Sequence, residues 1–463
     1  MTLRFTLDFL LGSTGGSLVG GKMPIGASGV SIDSRKIKKN QLFVAIEGPN
    51  FDGHDYVAEA FEKGSVGAIV EKYPQIRDTK RNCGAIIKVE STQKALLEMS
   101  RHWRNSFPDL KVAAITGSNG KTTTKNMAHS ILSVSGNVLS TYGNLNNHIG
   151  LPLNLLKLEK EHDFCVLEMG MNSFGEIRTL ADVASPDVGT ITTVGKAHLE
   201  EMKDLEGVAR AKGELVENFG EENTFCVNID DPWVAKIADR ARCRKITYGI
   251  ASRDAFIKAD DISHDGMESI EFTIHIGEQS ARTRIKGIGA HNVSNALSAS
   301  ALGYSLGCGM NEILAGLEKY VPSAMRLEVL RTPFGFRIIN DAYNANPDSM
   351  RAALDELAGH RRGKTKAVAV LGDMLELGES SEREHELIGE HVSRLGLDML
   401  VAMGEFSQSL ISAVRGQTAC HVARSPQEAA ALLLEECGED DVVLVKGSRG
   451  MKMETVIQTL YKK

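Results

Sequence analysis

The sequence lacks the cysteine pattern of a disulfide-bonded or zinc-binding protein, and it has no long apolar run. Its seven cysteines are scattered from Cys83 to Cys437, with no CxxC pair. That usage indicates reduced thiols in a cytosolic protein. The apolar run from Phe9 to Leu11 is shorter than the core of a signal peptide, and no later stretch is long enough to span a bilayer. We therefore expect a cytoplasmic protein without a membrane span.

A basic surface is missing as well. The formal net charge of -7 argues against a general nucleic-acid binder, although local amides and a few cations can still hold a phosphate. No internal repeat or low-complexity segment is visible. A chain of 463 residues, 42% of them hydrophobic and 24% charged, is instead typical of a globular protein with two to four domains.

The order of apolar strands and helical stretches predicts three α/β domains. The first, residues 1–88, is small. In the second, residues 89–320, strands and helices alternate as in a parallel sheet, and residues 250–290 alternate in polarity like an antiparallel addition. The third, residues 321–463, places three apolar strands between helices, which predicts a Rossmann-like domain.

The strongest local motif is TGSNGKT at residues 116–122, between an apolar strand and a helical stretch expected to stop at Gly136. Glycines let the backbone approach a phosphate, and a helix N-terminus supplies free amides. Lys121 adds a positive charge, and the Thr122 hydroxyl can hold Mg²⁺. Ile115 stands where a general P-loop has its first glycine, and a plain turn before a helix is the alternative. We interpret the motif as the phosphate loop of a P-loop-type central domain, which leaves kinase, GTPase and ligase open.

Two polar residues lie where strands of the central domain end. Glu168 follows the apolar strand at residues 164–167, and His198 follows a short turn after the strand at residues 188–194. Ligands bind at the carboxyl ends of parallel strands, and a carboxylate suits Mg²⁺. The alternatives are a capping or solvated Glu168 and a satisfied structural His198.

Lys212 lies on the apolar stripe of a predicted helix that Asp204 can cap. It follows Leu205 by seven residues and Val208 by four, which places all three on one face. A lysine in such a position usually extends its ammonium to water. Alternatively, burial lowers its pKa, and the neutral amine takes up CO₂ as a carbamate, an anion that binds metal. The sequence leaves both readings open.

Taken together, these residues resemble the Mur ligase family of ATP-dependent, amide-forming ligases. The loop TGSNGKT, Glu168 in LEMG, His198 in AHLE and Lys212 in AKGE occur in the family's order, and the resemblance covers essentially the whole chain. The unusual glycine spacing is the family's own variant. The resemblance implies an α/β fold with a UDP-substrate-binding first domain, a central parallel-sheet ATPase domain and a C-terminal Rossmann-like domain.

The resemblance also implies ATP and two Mg²⁺ sites as cofactors, with Lys121 on the phosphates, Arg326 at the γ-phosphate and Asp341 on the ribose. The implied catalytic residues are Lys121, His198, Lys212 and Arg326. The implied metal ligands are Thr122, Glu168, His198 and a carbamylated Lys212. The implied ATP-binding set is Gly117, Ser118, Asn119, Gly120, Lys121, Thr122, Thr123, His291, Asn292, Asn295, Arg326, Asp341 and Tyr343.

Three longer strings indicate a branch of the family. Residues 341–350 (DAYNANPDSM), 371–378 (LGDMLELG) and 445–451 (VKGSRGM) resemble the branch that joins D-alanyl-D-alanine to UDP-N-acetylmuramoyl-tripeptide through an acyl phosphate, although Ala342 replaces the serine common there. The implied UDP-substrate contacts are Ser34, Arg35, Asp52, His54, Thr141, Asn144 and Asn147. The implied dipeptide contacts are Asn344, Asn346, Lys446 and Arg449.

The sequence does not carry the features that other functions would require. The diaminopimelate- or lysine-adding branch carries DNPR, a GTPase carries NKxD, and folylpolyglutamate synthase lacks the first domain and LGDMLELG. A non-catalytic UDP-sugar-binding protein would not need the residues assigned to metals. We expect a monomer that binds small molecules and no nucleic acid. Because Lys121 precedes the linker at residues 321–324 and Arg326 follows it, we also expect a hinge there that closes around ATP.

Overall fold

The structure, a computed structural model, describes residues 4–23, 25–73, 84–361 and 363–461. The chain forms two compact units. The first contains Met1–Ala114, Gly136–Met171 and Gly175–Asp187, and the second contains Ile115–Ser135, Asn172–Phe174 and Val188–Lys463. The domain boundaries expected after residues 88 and 320 stay predictions. Cys83 lies outside the described residues, and the other six cysteines are free thiols.

The first unit begins with a five-stranded sheet. Its strands are β1 (Ser17–Gly20), β2 (Val30–Ser31), β3 (Leu42–Val44), β4 (Gly67–Val70) and β5 (Ala85–Lys88), and its helices are α1 (Leu7–Thr14), α2 (Val57–Glu62) and α3 (Thr92–Asn105). The order is β1-β5-β4-β3-β2, with only β1 antiparallel to its neighbour. Leu42 and Ile69 face one buried core, and Phe43 and Ala68 face another. Both faces of this largely parallel sheet are therefore covered.

Three more strands of the first unit lie in the order β6-β8-β7. They and the associated helices are β6 (Lys111–Thr116), β7 (Val138–Ser140), β8 (Phe164–Glu168), α5 (Gly150–Leu155) and α6 (Glu176–Ala184). The last two residues of β6 belong to the second unit and lead to α4 (Lys121–Leu132). This helix ends earlier than the stop at Gly136 that we expected, because Ser133, Val134 and Ser135 form turns.

The strand expected at residues 188–194 ends at Ile191 and is one of six further strands in the second unit. They are β9 (Val188–Ile191), β10 (Thr224–Asn228), β11 (Arg244–Gly249), β12 (Ile257–Asp265), β13 (Ser269–Ile276) and β14 (Gln279–Lys286), with helices α7 (Leu199–Met202), α8 (Leu205–Gly213), α9 (Pro232–Arg240), α10 (His291–Ser305) and α11 (Met310–Lys319). β9 to β12 pair in parallel, and β12 to β14 pair antiparallel. The antiparallel addition expected within residues 250–290 is confirmed.

A six-stranded sheet completes the second unit. Its elements are β15 (Glu328–Arg331), β16 (Arg337–Asp341), β17 (Ala367–Gly372), β18 (Met399–Met403), β19 (Ala419–Val422), β20 (Val442–Lys446), α12 (Pro347–Gly359), α13 (Ser381–Leu395), α14 (Ser407–Ser412), α15 (Pro426–Glu436) and α16 (Glu454–Leu460). The order is β15-β16-β20-β17-β18-β19, parallel except for β15. Asn346 caps α12, and Pro347 is its first residue. The carboxyl ends of β16, β17 and β20 share one edge, where ligands of such sheets bind.

Candidate active site

The loop before α4 has the geometry of a phosphate-binding loop. Gly117 and Gly120 adopt positive φ angles of 147° and 83°. A Cβ at Gly117 would collide with the Thr192 hydroxyl, and one at Gly120 with the Asn295 amide, so only glycine fits at either position. α4 begins at Lys121, whose Nζ donates to the Gly117 carbonyl at 2.7 Å. The loop therefore presents helix-terminal amides beside an ammonium group, a combination that binds phosphate.

Residues that follow β9 and precede α12 hold this loop in shape. The Ser118 amide donates to the Thr193 carbonyl at 2.8 Å, and the Gly195 amide donates to the Ser118 hydroxyl at 2.9 Å. Asn346 donates from Nδ2 to Oδ1 of Asn119 at 2.8 Å. Asn346 was expected at the dipeptide, and here its amide supports the phosphate loop.

The first turns of α10 also reach the loop. Asn295 is buried and donates from Nδ2 to Oδ1 of Asn292 at 3.0 Å, while its Oδ1 accepts from the Thr124 hydroxyl at 3.4 Å. Thr123 is buried, and His291 lies exposed at the start of the helix. The structure thus brings the predicted HNVSN segment beside the predicted phosphate loop.

Arg326 joins the linker to the phosphate loop. Its Nη2 donates to Oγ1 of Thr122 at 3.0 Å, and its guanidinium lies 4.1 Å from the ring centroid of Tyr343. The neighbouring residues Met325 and Leu327 both have left-handed backbones, with φ of 59° and 50°. Residues other than glycine rarely adopt a left-handed backbone, and those that do are often found at functional sites. Three residues expected at ATP are therefore adjacent, whereas the hinge at residues 321–324 stays a prediction.

Asp341 and Lys446 form a buried ion pair at the carboxyl ends of β16 and β20. Lys446 is 2% exposed, and its Nζ lies 2.5 Å from Oδ2 of Asp341 and 3.0 Å from the carbonyl oxygen of Asn344. The other carboxylate oxygen of Asp341 accepts from the Leu327 amide at 3.1 Å. Asp341 therefore fixes the turn that presents Arg326, and the ammonium of Lys446 faces protein atoms. The ribose and dipeptide roles of these two residues stay predictions.

Arg449, the other cation expected at the dipeptide carboxylate, lies at the surface. Its Nη2 pairs with Oε1 of Glu454 at 3.0 Å, and its amide donates to Oδ1 of Asn344 at 3.3 Å. The Arg449 side chain is 52% exposed, whereas that of Glu454 is 16% exposed, so only the guanidinium is open to solvent.

His198 contacts a carboxylate from the C-terminal part of the second unit. Its Nδ1 lies 2.7 Å from Oε2 of Glu376. The hydrogen bond from His198 lowers the pKa of Glu376. Two residues earlier, the Lys196 amide donates to Oδ2 of Asp348 at 2.8 Å, and the Lys196 ammonium pairs with Glu384. The segment that carries His198 is thus tied to α12 and α13.

Lys212 is buried on α8. It lies one turn after the buried Val208, and Lys212 is 2% exposed. The alternative of a lysine extended to water is therefore wrong. Burial, followed by the charge of Lys121, lowers the pKa of Lys212 well below its ordinary value. A neutral amine is what carbamylation requires.

Glu168 lies at the end of β8 in the first unit and is 3% exposed. Its amide donates to the Thr141 hydroxyl at 2.9 Å, and its Oε1 accepts from Nδ2 of Asn146 at 2.8 Å. A buried carboxylate of this kind fits the donor preference of Mg²⁺, a cation that takes oxygen ligands.

Three ranges of the chain match models of one protein family. Residues 27–104 match the catalytic domain of the Mur ligase family, residues 115–303 match the Mur ligase middle domain, and residues 325–449 match the Mur ligase glutamate ligase domain. The chain belongs to the Mur ligase family.

Named relatives of this Mur ligase share nearly its full length. It is 35% identical over 436 residues to the UDP-N-acetylmuramoyl-tripeptide--D-alanyl-D-alanine ligase of Bacillus subtilis, with 93% of each chain covered. MurF of Acinetobacter baumannii matches it with a TM-score of 0.91 and 32% identity over 100% of both chains. MurF of Thermotoga maritima in complex with ADP matches with a TM-score of 0.82 and 28% identity, covering 94% of this chain and 97% of that one. The predicted fold class is confirmed.

The residues of this Mur ligase expected at the UDP-substrate lie in the first unit. Ser34 donates to Oε2 of Glu59 at 3.1 Å, and Arg35 pairs with Asp33 at 2.9 Å while remaining 82% exposed. Asn147 accepts from the amide of Gly150 at 2.9 Å and so holds the start of α5. Asn144 and Asn147 are exposed, whereas Thr141 is buried.

Asp52 and His54 in this Mur ligase are bonded to each other. His54 is buried, its Nδ1 lies 2.6 Å from Oδ1 of Asp52, and its Nε2 accepts from the Glu71 amide at 2.9 Å. Lys72 pairs with the same aspartate. Both ring nitrogens of His54 are therefore used within the protein, whereas Asp52, Lys72 and the neighbouring Glu47 have side chains that are at least partly exposed.

Sequence reasoning missed several functional neighbours in this Mur ligase. Thr192 and Thr193 belong to no motif that the sequence analysis singled out. In the structure the Thr192 hydroxyl donates to the Asn119 carbonyl at 2.5 Å, and the Asn119 amide donates to the Thr193 hydroxyl at 3.2 Å. Their position at the end of a predicted parallel strand was an available signal. Glu376 lies in the quoted string LGDMLELG without an assigned role, and Glu384 had no signal, because their contacts with residues 196–198 form only in the folded chain. No helix within the described part of the chain is both long and apolar enough to cross a membrane.

Proposed function

We propose that this Mur ligase uses ATP to join D-alanyl-D-alanine to UDP-N-acetylmuramoyl-tripeptide in peptidoglycan precursor synthesis. The observation that carries the reaction type is the contact between Arg326 and Thr122, which brings a guanidinium from beyond the linker to the phosphate loop. The names of full-length relatives support the choice of substrates. The proposal places the enzyme in the cytoplasm, as a monomer.

A carboxylate is a poor acyl donor, so the reaction proceeds in two transfers. An oxygen of the tripeptide's terminal carboxylate attacks the γ-phosphorus of ATP, the bond to ADP breaks, and an acyl phosphate forms. Lys121, Arg326 and the amides that open α4 neutralise charge on the transferring phosphoryl group. The amine of D-alanyl-D-alanine then attacks the acyl carbon, phosphate leaves with the former carboxylate oxygen, and the amine loses a proton. The protein's main contribution is to hold two anions together.

Mg²⁺ belongs to the same proposal. Thr122 would hold one ion, and Glu168, His198 and a carbamylated Lys212 are proposed as the ligands at a second site. When bound, the ions supply positive charge to the phosphate oxygens. The burial of Lys212, which lowers the pKa of its amine, supports the carbamate, because an ammonium group cannot react with CO₂.

The two substrates reach the site from different parts of the chain in this proposal. The UDP end is assigned to Ser34, Arg35, Asp52, His54, Thr141, Asn144 and Asn147, and the dipeptide to Asn344, Asn346, Lys446 and Arg449. Arg35 and Arg449 are the exposed cations of the two sets, each paired with one carboxylate.

Phosphate release tests the proposal. The purified chain with ATP, Mg²⁺ and UDP-N-acetylmuramoyl-tripeptide should release phosphate rapidly only when D-alanyl-D-alanine is added. Rapid release with UDP-N-acetylmuramoyl-dipeptide and diaminopimelate or lysine would instead assign it to the amino-acid-adding branch. Release with a folate and glutamate would assign it to the folylpolyglutamate synthases.

A further inference from the structure

The contact between His198 and Glu376 defines the state of the imidazole ring. The Nδ1 atom of His198 lies 2.7 Å from Oε2 of Glu376. An ionised carboxylate can only accept a hydrogen bond, so Nδ1 must carry the proton. In the neutral ring the lone pair then lies on Nε2, the form in which a histidine binds a metal ion. A carboxylate on the second nitrogen is the common means of orienting such a ligand.

Both partners occupy unusual backbone conformations. His198 has a φ of 56° and Glu376 a φ of 64°, and neither is glycine. The left-handed region is sparsely populated for such residues and persists only where surrounding contacts hold it. Here the Glu200 amide donates to the Glu376 carbonyl at 3.3 Å, and a Cβ on Gly378 would lie 3.4 Å from Cα of Glu200. The loop after β17 is therefore seated directly on the start of α7.

We propose that Glu376 is a positioning residue for His198, which fixes the tautomer and orientation that let Nε2 act as a ligand. The inference rests on the proposed function, and it adds a residue that belongs to the LGDMLELG string. Because Glu376 follows the linker and His198 precedes it, the histidine is oriented only while these two parts of the second unit are together. The bonds from Lys196 to Glu384 and Asp348 hold the same two parts together without touching the ring.

The test compares Glu376→Ala and Glu376→Gln with Glu379→Ala as the matched control. Glu376 is 60% exposed and Glu379 is exposed on the same loop, so these variants should fold. The first readout is the ¹⁵N NMR spectrum of histidine-labelled protein with ADP and no metal, with the His198 signal assigned from His198→Ala. We expect the Nδ1–H tautomer in the wild type and in Glu379→Ala, and a mixture of tautomers in Glu376→Ala.

The second readout is Mn²⁺ affinity in the presence of ADP, measured by electron paramagnetic resonance of the free ion. We expect about tenfold weaker Mn²⁺ binding for Glu376→Ala, a smaller loss for Glu376→Gln, and no further loss when Glu376→Ala is added to His198→Ala. An unchanged tautomer, unchanged Mn²⁺ affinity, or an equal loss in the His198→Ala background would overturn the proposal. Neither readout needs turnover, so failure of the proposed ligase reaction would be seen separately in the phosphate assay.

Discussion

The guanidinium of Arg326 donates to the hydroxyl of Thr122 at 3.0 Å, across 204 positions of sequence. Thr122 is the second residue of α4, directly after the phosphate loop, and Arg326 follows the linker. The Tyr343 ring, 4.1 Å from the guanidinium, keeps its plane in place. A residue from beyond the linker thus reaches the first turn of the helix that follows the phosphate loop.

Replacing Arg326 should therefore slow the chemistry more than it weakens substrate binding. For Arg326→Ala we expect kcat to fall by roughly 10²–10³, the usual cost of losing one positioned donor to a developing charge. Arg326→Lys should recover only part of the lost kcat, because lysine has no planar guanidinium group to stack on Tyr343. Arg331→Ala, an exposed arginine on β15, is the control. Equal kcat values for Arg326→Ala and the control would contradict this role.

The two loop glycines should not tolerate a side chain. In Gly120→Ala the new Cβ meets the Asn295 amide, and the φ of 83° is itself unfavourable for alanine. We expect ADP affinity measured by calorimetry to fall at least tenfold, with a lowered melting temperature. Gly359→Ala at the end of α12, where an added Cβ has no heavy atom within 4 Å, should leave both quantities nearly unchanged. Normal ADP binding by Gly120→Ala would show that the loop does not bind the nucleotide.

Breaking the pair of Lys446 and Asp341 should destabilise the fold strongly. Lys446→Met leaves the Asp341 carboxylate without its buried partner, which typically costs about 3–5 kcal/mol in the free energy of unfolding. Adding Asp341→Asn should recover much of that loss, since it removes the uncompensated charge. Urea unfolding of the two single variants and the double variant measures the coupling. Strictly additive effects would mean that the two groups do not stabilise one another.

The state of Lys212 gives a prediction in pH. Its folded-state pKa lies below the value of 10.5 for a free lysine, so the unfolded chain binds the extra proton. Stability should therefore rise with pH between the lowered pKa and 10.5, by up to about 1.4 kcal/mol per pH unit, relative to Lys212→Met. If the free energy of unfolding, measured without CO₂, depended on pH in the same way for both proteins, the lowered pKa of Lys212 in the fold would be contradicted.

Much of the fold and part of the site could be predicted from local pattern. The phosphate loop, the apolar stripe that carries Lys212 and the cap of α12 depend on residues close in sequence, whose spacing fixes their geometry. The pairing of Lys446 with Asp341 was not predictable in this way, because it depends on β16 and β20 being neighbours across 105 positions. The contact of Glu376 with His198 depends in addition on how the residues after the linker pack against those before it. Spacing along the chain carries no information about either distance.

Product mass in a competition among amines tests the central claim most directly. The purified chain is given ATP, Mg²⁺, both UDP-N-acetylmuramoyl-tripeptide and the corresponding dipeptide, and equal amounts of D-alanyl-D-alanine, L-lysine and meso-diaminopimelate. We expect one new species, heavier than the tripeptide substrate by one D-alanyl-D-alanine less one water, formed together with ADP and phosphate. A product made from the dipeptide and heavier by one lysine or diaminopimelate would contradict the proposed function.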